Sequence, residues 1–222
     1  MAFIRDIMVK AILWDNDGLL VDTEEIYFGV TRDVLSEVGI DLTLEMFIEI
    51  SLIRGQSAFD IALDQGFDQE TVSKLRAVRN RRYGERLMEG VRLLDGVEDT
   101  LRQLHGKIIM GIVTGSRKEH FDVMHKNSGL LHYLDFIITR EDYGRAKPDP
   151  DPFLTALMRK QLDREHCIIV EDSERGLAAA MAAGIRCIVV PNMLTRFGDF
   201  SGSYRVLKSI REVGPEVLKL QG

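Results

Sequence analysis

The stretch ILWDNDGLLVDTEE, residues 12–25, determines how the rest of the chain is interpreted. Its first apolar run stops at Asp15 and Asp17, and Gly18 then leads into a second apolar run. An Asp-Gly pair alone is typical of a turn. A buried strand that delivers two carboxylates to one loop can also hold a reactive site. The rest of the sequence must decide between these interpretations.

Short apolar runs rich in β-branched residues recur along the chain, with helical segments between them. Strands that are buried on both faces have this pattern, whereas half-exposed strands alternate apolar and polar residues. Alternating strands and helices predict an α/β fold with a doubly wound, Rossmann-like parallel sheet, whose ligands bind at the carboxyl ends of the strands. The predicted strands are residues 10–14, 107–113, 136–139, 167–170 and 187–190.

More than ninety residues separate the first predicted strand from the second, without a comparable apolar run. Within them, residues 24–39 place Ile26, Val30, Val34 and Val38 on one helical face, and further helical segments follow. We therefore expect an α-helical domain inserted into the core. The predicted bounds are residues 21–92 for the insertion and residues 1–20 and 93–222 for the α/β catalytic domain.

Helix-start patterns precede three predicted helices of the core. In each case, a residue whose side chain can accept a main-chain N–H bond is followed by a residue that is common in the first turn of a helix. These pairs are Ser116 with Glu119, Asp95 with Glu98, and Asp151 with Pro152.

Residues capable of chemistry follow each of the first four predicted strands. The carboxyl ends of parallel strands meet at one edge of the sheet, and neighbouring strands lie about 5 Å apart. We therefore expect one crevice to contain several carboxylates, a hydroxyl group and an ammonium group. In chain order these residues are Asp15 and Asp17, then Thr114 to Ser116, then Lys147, then Glu171 with Asp172.

Clustered carboxylates repel one another, so the predicted crevice needs a cation. Ligands that are all oxygen atoms favour a hard ion and predict Mg²⁺. Magnesium, a lysine, a hydroxyl group and main-chain N–H groups at a helix start together describe a phosphate site. A calcium loop starting at Asp15 is excluded, because Leu19, Leu20 and Ile26 occupy positions five, six and twelve. The five histidines are scattered, and we expect them at the surface or in packing.

Four motifs follow one another along the chain: DNDGLLVDTE, VTGS, AKPDPDPF and VEDSERGLAAAMAAG. In order and spacing they resemble the motifs of the haloacid dehalogenase superfamily. The resemblance covers residues 10 to about 192 and is to the branch of β-phosphoglucomutase and phosphoglycolate phosphatase, which has a helical cap after the first motif. The dehalogenases of that superfamily lack the second aspartate, so Asp17 favours phosphoryl transfer.

The resemblance implies a role for each motif residue. Asp15 would attack phosphorus and form an aspartyl-phosphate, and Asp17 would act as general acid and base. Thr114 would hold phosphoryl oxygens, and Lys147 would neutralise Asp15 and the developing charge. The implied substrate contacts are Gly18, Gly115, Ser116 and Arg54, although Arg54 is equally an exposed arginine at a helix end. The implied metal ligands are Asp15, the main-chain carbonyl of Asp17, Asp172, and Glu171 as a ligand or an outer contact.

These roles predict a Mg²⁺-dependent phosphatase that acts on a small phosphorylated metabolite. A sugar-phosphate mutase is the main alternative, since the resemblance includes such mutases. They carry a histidine twelve residues after the first aspartate, where this chain has Tyr27, so hydrolysis is favoured. A signalling protein with a long-lived aspartyl-phosphate is less consistent with the insertion and with Asp17. A binding protein without catalysis is disfavoured because every motif residue is present.

Composition limits the partners of the chain. The net charge of −6 over 222 residues does not favour nucleic acid or anionic membranes. Residues 75–86 contain five arginines, and we interpret them as a solvated helix face. Cys167 and Cys187 begin apolar runs and are expected in the core. The sequence has neither a signal-peptide pattern nor about 18 consecutive apolar residues, so we expect a cytoplasmic protein. Its oligomeric state is left open.

Overall fold

The computed structural model describes residues 8–221. Six strands of this part form one parallel sheet: β1 (Ala11–Trp14), β2 (Ile109–Val113), β3 (Phe136–Ile138), β4 (Cys167–Glu171), β5 (Arg186–Val189) and β6 (Arg205–Val206). Their order across the sheet is β3-β2-β1-β4-β5-β6. The chain changes direction across the sheet at β1, which creates the switch point where α/β proteins bind ligands. The predicted doubly wound parallel sheet is confirmed.

The edge strand β6 is missing from the prediction based on sequence. It is two residues long, and both are exposed beside β5. So short a strand leaves no apolar run in the sequence, because neither face is buried.

Both faces of the sheet are covered, which explains the nearly continuous apolar strands. On one face Ile12 and Trp14 pack with Ile112 and Val170. On the opposite face Leu13 packs with residues that include Val113, Phe153 and Ile169. Cys167 and Cys187 are buried free thiols on that second face, as expected.

The segment between β1 and β2 is helical, as predicted. Its first helix buries Val30 and Val34, but Ile26 and Val38 of the predicted face are only partly buried. A separate apolar cluster of the segment is centred on residues such as Leu35, Phe47 and Phe59. The helices are α1 (Glu24–Ser36), α2 (Leu44–Phe47), which continues as a π-helix (Ile48–Ile53), α3 (Asp60–Asp64) and α4 (Gln69–Met88).

The remaining α-helices of the described residues follow the alternation of the core. They are α5 (Val97–Leu104), α6 (Lys118–His125), α7 (Asp151–Lys160), α8 (Glu174–Ala183) and α9 (Val213–Lys219). Helix α8 has a side-chain N-cap, because the Ser173 hydroxyl accepts the N–H of Gly176 at 3.1 Å. It ends at Gly184, which has a φ of 70°.

The three predicted helix starts of the core are wrong in detail. Helix α6 begins after Arg117, because the Ser116 hydroxyl donates to Asp17 and not to its own helix. Helix α5 begins after Gly96, and Asp95 pairs instead with Arg211. Helix α7 begins one residue early, so Asp151 is its first residue rather than its cap. In the first two cases a tertiary contact takes the side chain that a local pattern assigns to the cap.

The arginine-rich stretch lies on α4, and its charges are mostly paired. Arg76 pairs with Asp60, and Arg82 pairs with Glu37. Arg79 has a different environment: its guanidinium lies 4.2 Å from the centre of the Tyr27 ring. Within residues 8–221, no helix combines the length and the apolar character that crossing a membrane requires.

Candidate active site

The strand register brings the predicted residues to one edge of the sheet. Trp14, the last residue of β1, is level with Ile112 in β2 and with Val170 in β4. Asp15 therefore leaves β1 beside Glu171, and its N–H donates to the Val170 carbonyl at 2.9 Å. The residues that follow all three strands consequently enter the same crevice.

Three carboxylates lie at the centre of this crevice. One oxygen from each of Asp15, Glu171 and Asp172 falls within 4.8 Å of the others. All three residues are buried, with 8%, 1% and 2% of their surface exposed. Such a group of carboxylate oxygens, held together away from water, is suited to a hard divalent cation.

Lys147 connects two of these carboxylates. Its Nζ atom donates to Asp15 Oδ1 at 2.6 Å and to Glu171 Oε1 at 2.5 Å. A third bond, at 3.0 Å, reaches the Val113 carbonyl at the end of β2. With three acceptors, the ammonium has its full set of hydrogen bonds and one fixed position.

Burial and neighbouring charges together shift the pKa values of Asp15, Asp172 and Lys147. Burial, reinforced by the charge of Glu171, raises the pKa of Asp15 to about 8, although Lys147 opposes the change. Burial also raises the pKa of Asp172 well above its ordinary value, and Glu24 and Glu171 add to this effect. For Lys147 burial acts to lower the pKa, but Asp15 and Glu171 outweigh it and raise the pKa above its ordinary value. One lysine therefore does not compensate the acids of the site.

The Glu171 carboxylate is held on its other side by the start of α8. Its Oε2 atom accepts the Ser173 hydroxyl at 3.0 Å and the Asp172 N–H at 3.2 Å. Gly176 lies directly against this carboxylate, so that a Cβ at this position would overlap it. Gly176 in the first turn of α8 thus allows the helix to approach the acid closely.

The second aspartate of the first motif is surrounded by hydroxyl groups. Asp17 Oδ2 accepts from the Thr114 and Ser116 hydroxyls, each at 2.9 Å. Asp17 Oδ1 accepts from the Thr23 hydroxyl, also at 2.9 Å. Thr114 therefore contacts Asp17 directly, and Thr23 is a member of the site that the sequence did not identify.

Gly18 lies where the chain turns toward the third side of the crevice. Its φ is 76°, a conformation that favours glycine. A Cβ there would lie 2.7 Å from Asn192 Nδ2, 2.8 Å from Asp172 Oδ2 and 2.9 Å from Glu24 Cδ. Glycine is thus required both by the turn and by the close approach of these groups.

Asn192 and Glu24 are two further members of the site that sequence reasoning missed. The amide nitrogen of Asn192 contacts Glu24 Oε2 at 2.7 Å, Asp172 Oδ2 at 2.9 Å and the Gly18 carbonyl at 3.1 Å. Burial raises the pKa of Glu24 to about 7. Asn192 follows β5 after two residues, so the strand-end rule that identified Asp172 would also have selected it.

The other three predicted substrate contacts, Gly115, Ser116 and Arg54, lie in different environments. Ser116 reaches the site through its bond to Asp17, and a Cβ on Gly115 would have no atom within 4 Å. Arg54 is exposed and pairs with Glu49 at 2.8 Å. Among the predicted residues, Arg54 is therefore not brought to the carboxylates by the contacts of residues 8–221.

Arg175 in α8 connects the helical segment to the core. Its guanidinium donates to the main-chain carbonyl of Ser51 at 3.1 Å and to that of Lys147 at 2.8 Å. Gly55 lies against the same side chain, with only 2.9 Å between its ideal Cβ position and Arg175 Nε. The Arg175 side chain therefore joins the inserted helices to the loop that carries the lysine of the site.

The sequence of this chain is similar to those of known proteins over most of its length. The family model described as haloacid dehalogenase-like hydrolase matches residues 12–190. YhcW of Bacillus subtilis (strain 168) is 30% identical over 210 residues, which cover 93% of this chain and 94% of YhcW. Fructose-1-phosphate phosphatase YqaB of Escherichia coli (strain K12) is 28% identical over 185 residues, covering 81% of this chain and 95% of YqaB.

The fold also matches solved structures over nearly its whole length. The crystal structure of CbbY from Rhodobacter sphaeroides in complex with phosphate superimposes with a TM-score of 0.80 and 25% sequence identity. This match covers 93% of the present chain and 97% of the CbbY chain. The similarity therefore includes both the parallel sheet and the helices inserted after β1.

Proposed function

Because this chain belongs to the haloacid dehalogenase-like hydrolase family, we propose that it is a Mg²⁺-dependent phosphatase acting on a small phosphorylated metabolite. The observation that carries the proposal is the buried group formed by Asp15, Glu171 and Asp172 with Lys147 beside it. A nucleophilic carboxylate, a cation site and a fixed ammonium at one strand edge are the elements that phosphoryl transfer requires.

The acidic group is suited to Mg²⁺ by its chemistry. Asp15 and Asp172 would supply carboxylate oxygens, and the main chain of Asp17 would supply a carbonyl oxygen. Both oxygens of Glu171 are already engaged, one with Lys147 and the other with Ser173. Glu171 is therefore better suited to orient the site than to bind the ion directly. When bound, the ion would neutralise phosphoryl oxygens and lower the pKa values that burial raises.

Asp15 would act as the nucleophile. Its Oδ1 atom is held by Lys147, which leaves Oδ2 to attack phosphorus. As the new O–P bond forms, the bond from phosphorus to the ester oxygen breaks, and Asp17 gives that oxygen a proton. Water then attacks the aspartyl-phosphate, Asp17 takes a proton from the water, and inorganic phosphate leaves with Asp15 restored.

Asp17 has the surroundings that this double role requires. Thr114, Ser116 and Thr23 hold it by hydroxyl groups, which can rotate and act as donor or acceptor. The carboxylate can therefore keep its neighbours in both protonation states. In the substrate complex the Thr114 hydroxyl would turn from Asp17 to a phosphoryl oxygen, together with main-chain N–H groups of residues 115–116.

Hydrolysis is favoured over mutase chemistry by the position twelve residues after Asp15. Tyr27 occupies it, and its ring packs against Tyr83 with 5.2 Å between ring centres and beneath Arg79. No imidazole is available there to couple the helical segment to catalysis. The name of YqaB as a fructose-1-phosphate phosphatase supports a phosphosugar as the kind of substrate.

We assign the helical segment, residues 21–92, as a cap over the catalytic residues, with residues 1–20 and 93–222 as the core. Arg175 supports this assignment because it joins residue 51 to the Lys147 loop. Arg54 would then meet a second anionic group of the substrate after release from Glu49.

Phosphate release tests the proposal. The protein should hydrolyse p-nitrophenyl phosphate with Mg²⁺, stop with EDTA, and lose turnover as Asp15→Asn. Asp122→Asn is the matched control, because Asp122 is exposed and its ion pair is with Lys118 of the same helix, α6. A fully active Asp15→Asn protein would exclude this mechanism.

Incubation with β-glucose 1-phosphate and a trace of the bisphosphate separates the phosphatase from the mutase, since a mutase would yield glucose 6-phosphate instead of phosphate.

A further inference from the structure

Asn16, between the two aspartates of the first motif, is fully buried and takes part in a hydrogen-bonded series of side chains. Its Oδ1 atom lies 2.7 Å from Nε2 of His125, a residue 109 positions later at the end of α6. Its Nδ2 atom lies 3.3 Å from Asp17 Oδ2. Behind the imidazole, His125 Nδ1 lies 3.0 Å from the Ser128 hydroxyl. One histidine expected only to pack thus has a specific polar partner in the first motif.

The direction of each bond in this series follows from its ends. An amide oxygen placed toward the Asp17 carboxylate would be repelled, so the Asn16 amide nitrogen faces Asp17 and its oxygen faces His125. The imidazole must then donate from Nε2, and its Nδ1 accepts from the Ser128 hydroxyl. Burial supports this neutral form, because it lowers the pKa of His125 to about 4.

The Asn16 contact differs in kind from the other contacts of Asp17. The three hydroxyl groups around Asp17 can rotate and follow the carboxylate wherever it moves. The amide of Asn16 is planar and has two N–H groups. His125 holds its oxygen, and Met124 Sδ lies 3.4 Å from its nitrogen, so the amide and the N–H that faces Asp17 have one orientation. A fixed donor defines where the carboxylate returns after each proton transfer.

We propose that His125, acting through Asn16, is a positioning residue for the general acid and base Asp17. This role rests on the proposed phosphatase function. His125 reaches neither the substrate nor the cation site through its contacts, so its loss should lower kcat and leave KM nearly unchanged. Since proton transfer depends steeply on geometry, we expect His125→Leu to lower kcat about tenfold or more.

Rescue by an amide distinguishes positioning from packing. In His125→Gln the side-chain nitrogen can replace Nε2 as the donor to Asn16 Oδ1, so kcat should return to within about threefold of the original protein. Leucine fills similar space without a donor. Thr100→Val is the matched control for stability, because Thr100 also loses a buried bond, to the Ile210 carbonyl at 3.2 Å, away from the site.

A double-mutant cycle tests the connection between the two residues. Asn16→Leu should itself lower kcat, and His125→Leu should lower it little further in that background, because the series is already broken. Three outcomes would each overturn the role of His125 while hydrolysis by the wild-type protein stands. They are a wild-type kcat in His125→Leu, an equal loss of kcat in His125→Leu and His125→Gln, and fully additive losses of kcat in the double variant. An inactive wild-type protein would overturn the phosphatase function itself, and the positioning role with it.

Discussion

Gly176 lies against the Glu171 carboxylate so closely that the two positions determine each other. A Cβ on Gly176 would overlap the carboxylate carbon and both of its oxygens. Glu171 cannot move aside without losing its bonds to Lys147 and Ser173. The first turn of α8 is therefore part of the site, although Gly176 has no functional group.

Gly176→Ala should inactivate the enzyme without unfolding it. The added methyl group displaces Glu171, and with it Lys147, so we expect kcat/KM for p-nitrophenyl phosphate to fall about a hundredfold. Gly29→Ala in α1 is the matched control, because a Cβ there meets no atom within 4 Å. That control should keep full activity and gain about 0.5–1 kcal/mol in the free energy of unfolding. Equal activity of both variants would contradict the close packing.

Lys147→Ala should reduce kcat by about a hundredfold or more. It removes the ammonium that holds Asp15 Oδ1 and that, in the proposed mechanism, would compensate developing negative charge. Steady-state kinetics with Mg²⁺ would measure the effect. Lys160→Ala, at the end of α7, removes a lysine of the same length near the Phe136 ring and should retain the original rate. A Lys147→Ala protein with wild-type kcat would rule out this role.

Magnesium should raise the melting temperature of the protein. The buried carboxylates repel one another, and an ion that binds only the folded state stabilises it by about 2.7 kcal/mol at a hundred times Kd. Thermal denaturation with and without Mg²⁺, followed by EDTA, would measure this shift. Asp172→Asn should remove most of the shift, whereas Asp122→Asn should preserve it. A shift of equal size in both variants would place the ion elsewhere.

His125 should contribute stability that is lost as the pH falls from 6.5 to 4. The raised pKa values of Asp15 and Glu24 act in the opposite direction, so a variant of His125 is needed to isolate this contribution. The pKa of His125 is lowered to about 4 in the folded protein from an ordinary value of 6.5, so in this range the unfolded chain binds a proton that the folded protein does not. The contribution is complete above pH 6.5 and is lost as the pH falls, by about 3 kcal/mol in total.

Urea denaturation at several pH values would measure this dependence. Between pH 6.5 and pH 4, the free energy of unfolding of His125→Gln should fall by about 3 kcal/mol less than that of the wild-type protein. Thr100→Val should lower the free energy of unfolding by an amount that does not change with pH. Identical pH dependence in the wild-type and His125→Gln proteins would show that His125 is protonated in the folded state.

The parts of the fold and of the site that a sequence can predict are those fixed by local pattern and chain order. Buried strands identify themselves by apolar runs, and the parallel order places Asp15, Lys147 and Asp172 at one edge. The contacts among these residues are now visible, and their catalytic roles stay predictions. The resemblance to a known family supplied the roles, whereas strand-end placement alone predicted the cluster.

The parts that could not be predicted depend on how distant segments pack. Ser116 matches a helix cap in sequence, yet its hydroxyl donates to Asp17 because the first motif comes within reach in the folded chain. His125 carries no motif, and it reaches Asn16 only because of the packing of α6 on the sheet. Glu24 enters the site because Gly18 allows the chain to turn back toward Asn192.

The two bonds of Arg175 have a consequence for how this enzyme can diversify. Both acceptors, at residues 51 and 147, are main-chain carbonyls, which every amino acid provides. The two hydrogen bonds between the helical segment and the Lys147 loop therefore need no particular acceptor side chain, and the tight contact of Arg175 with Gly55 is the demand that this junction makes on the segment. If the helical segment is the cap that we propose, substitutions elsewhere in it would alter the choice of substrate while these two bonds are kept, so selectivity would change independently of the chemistry.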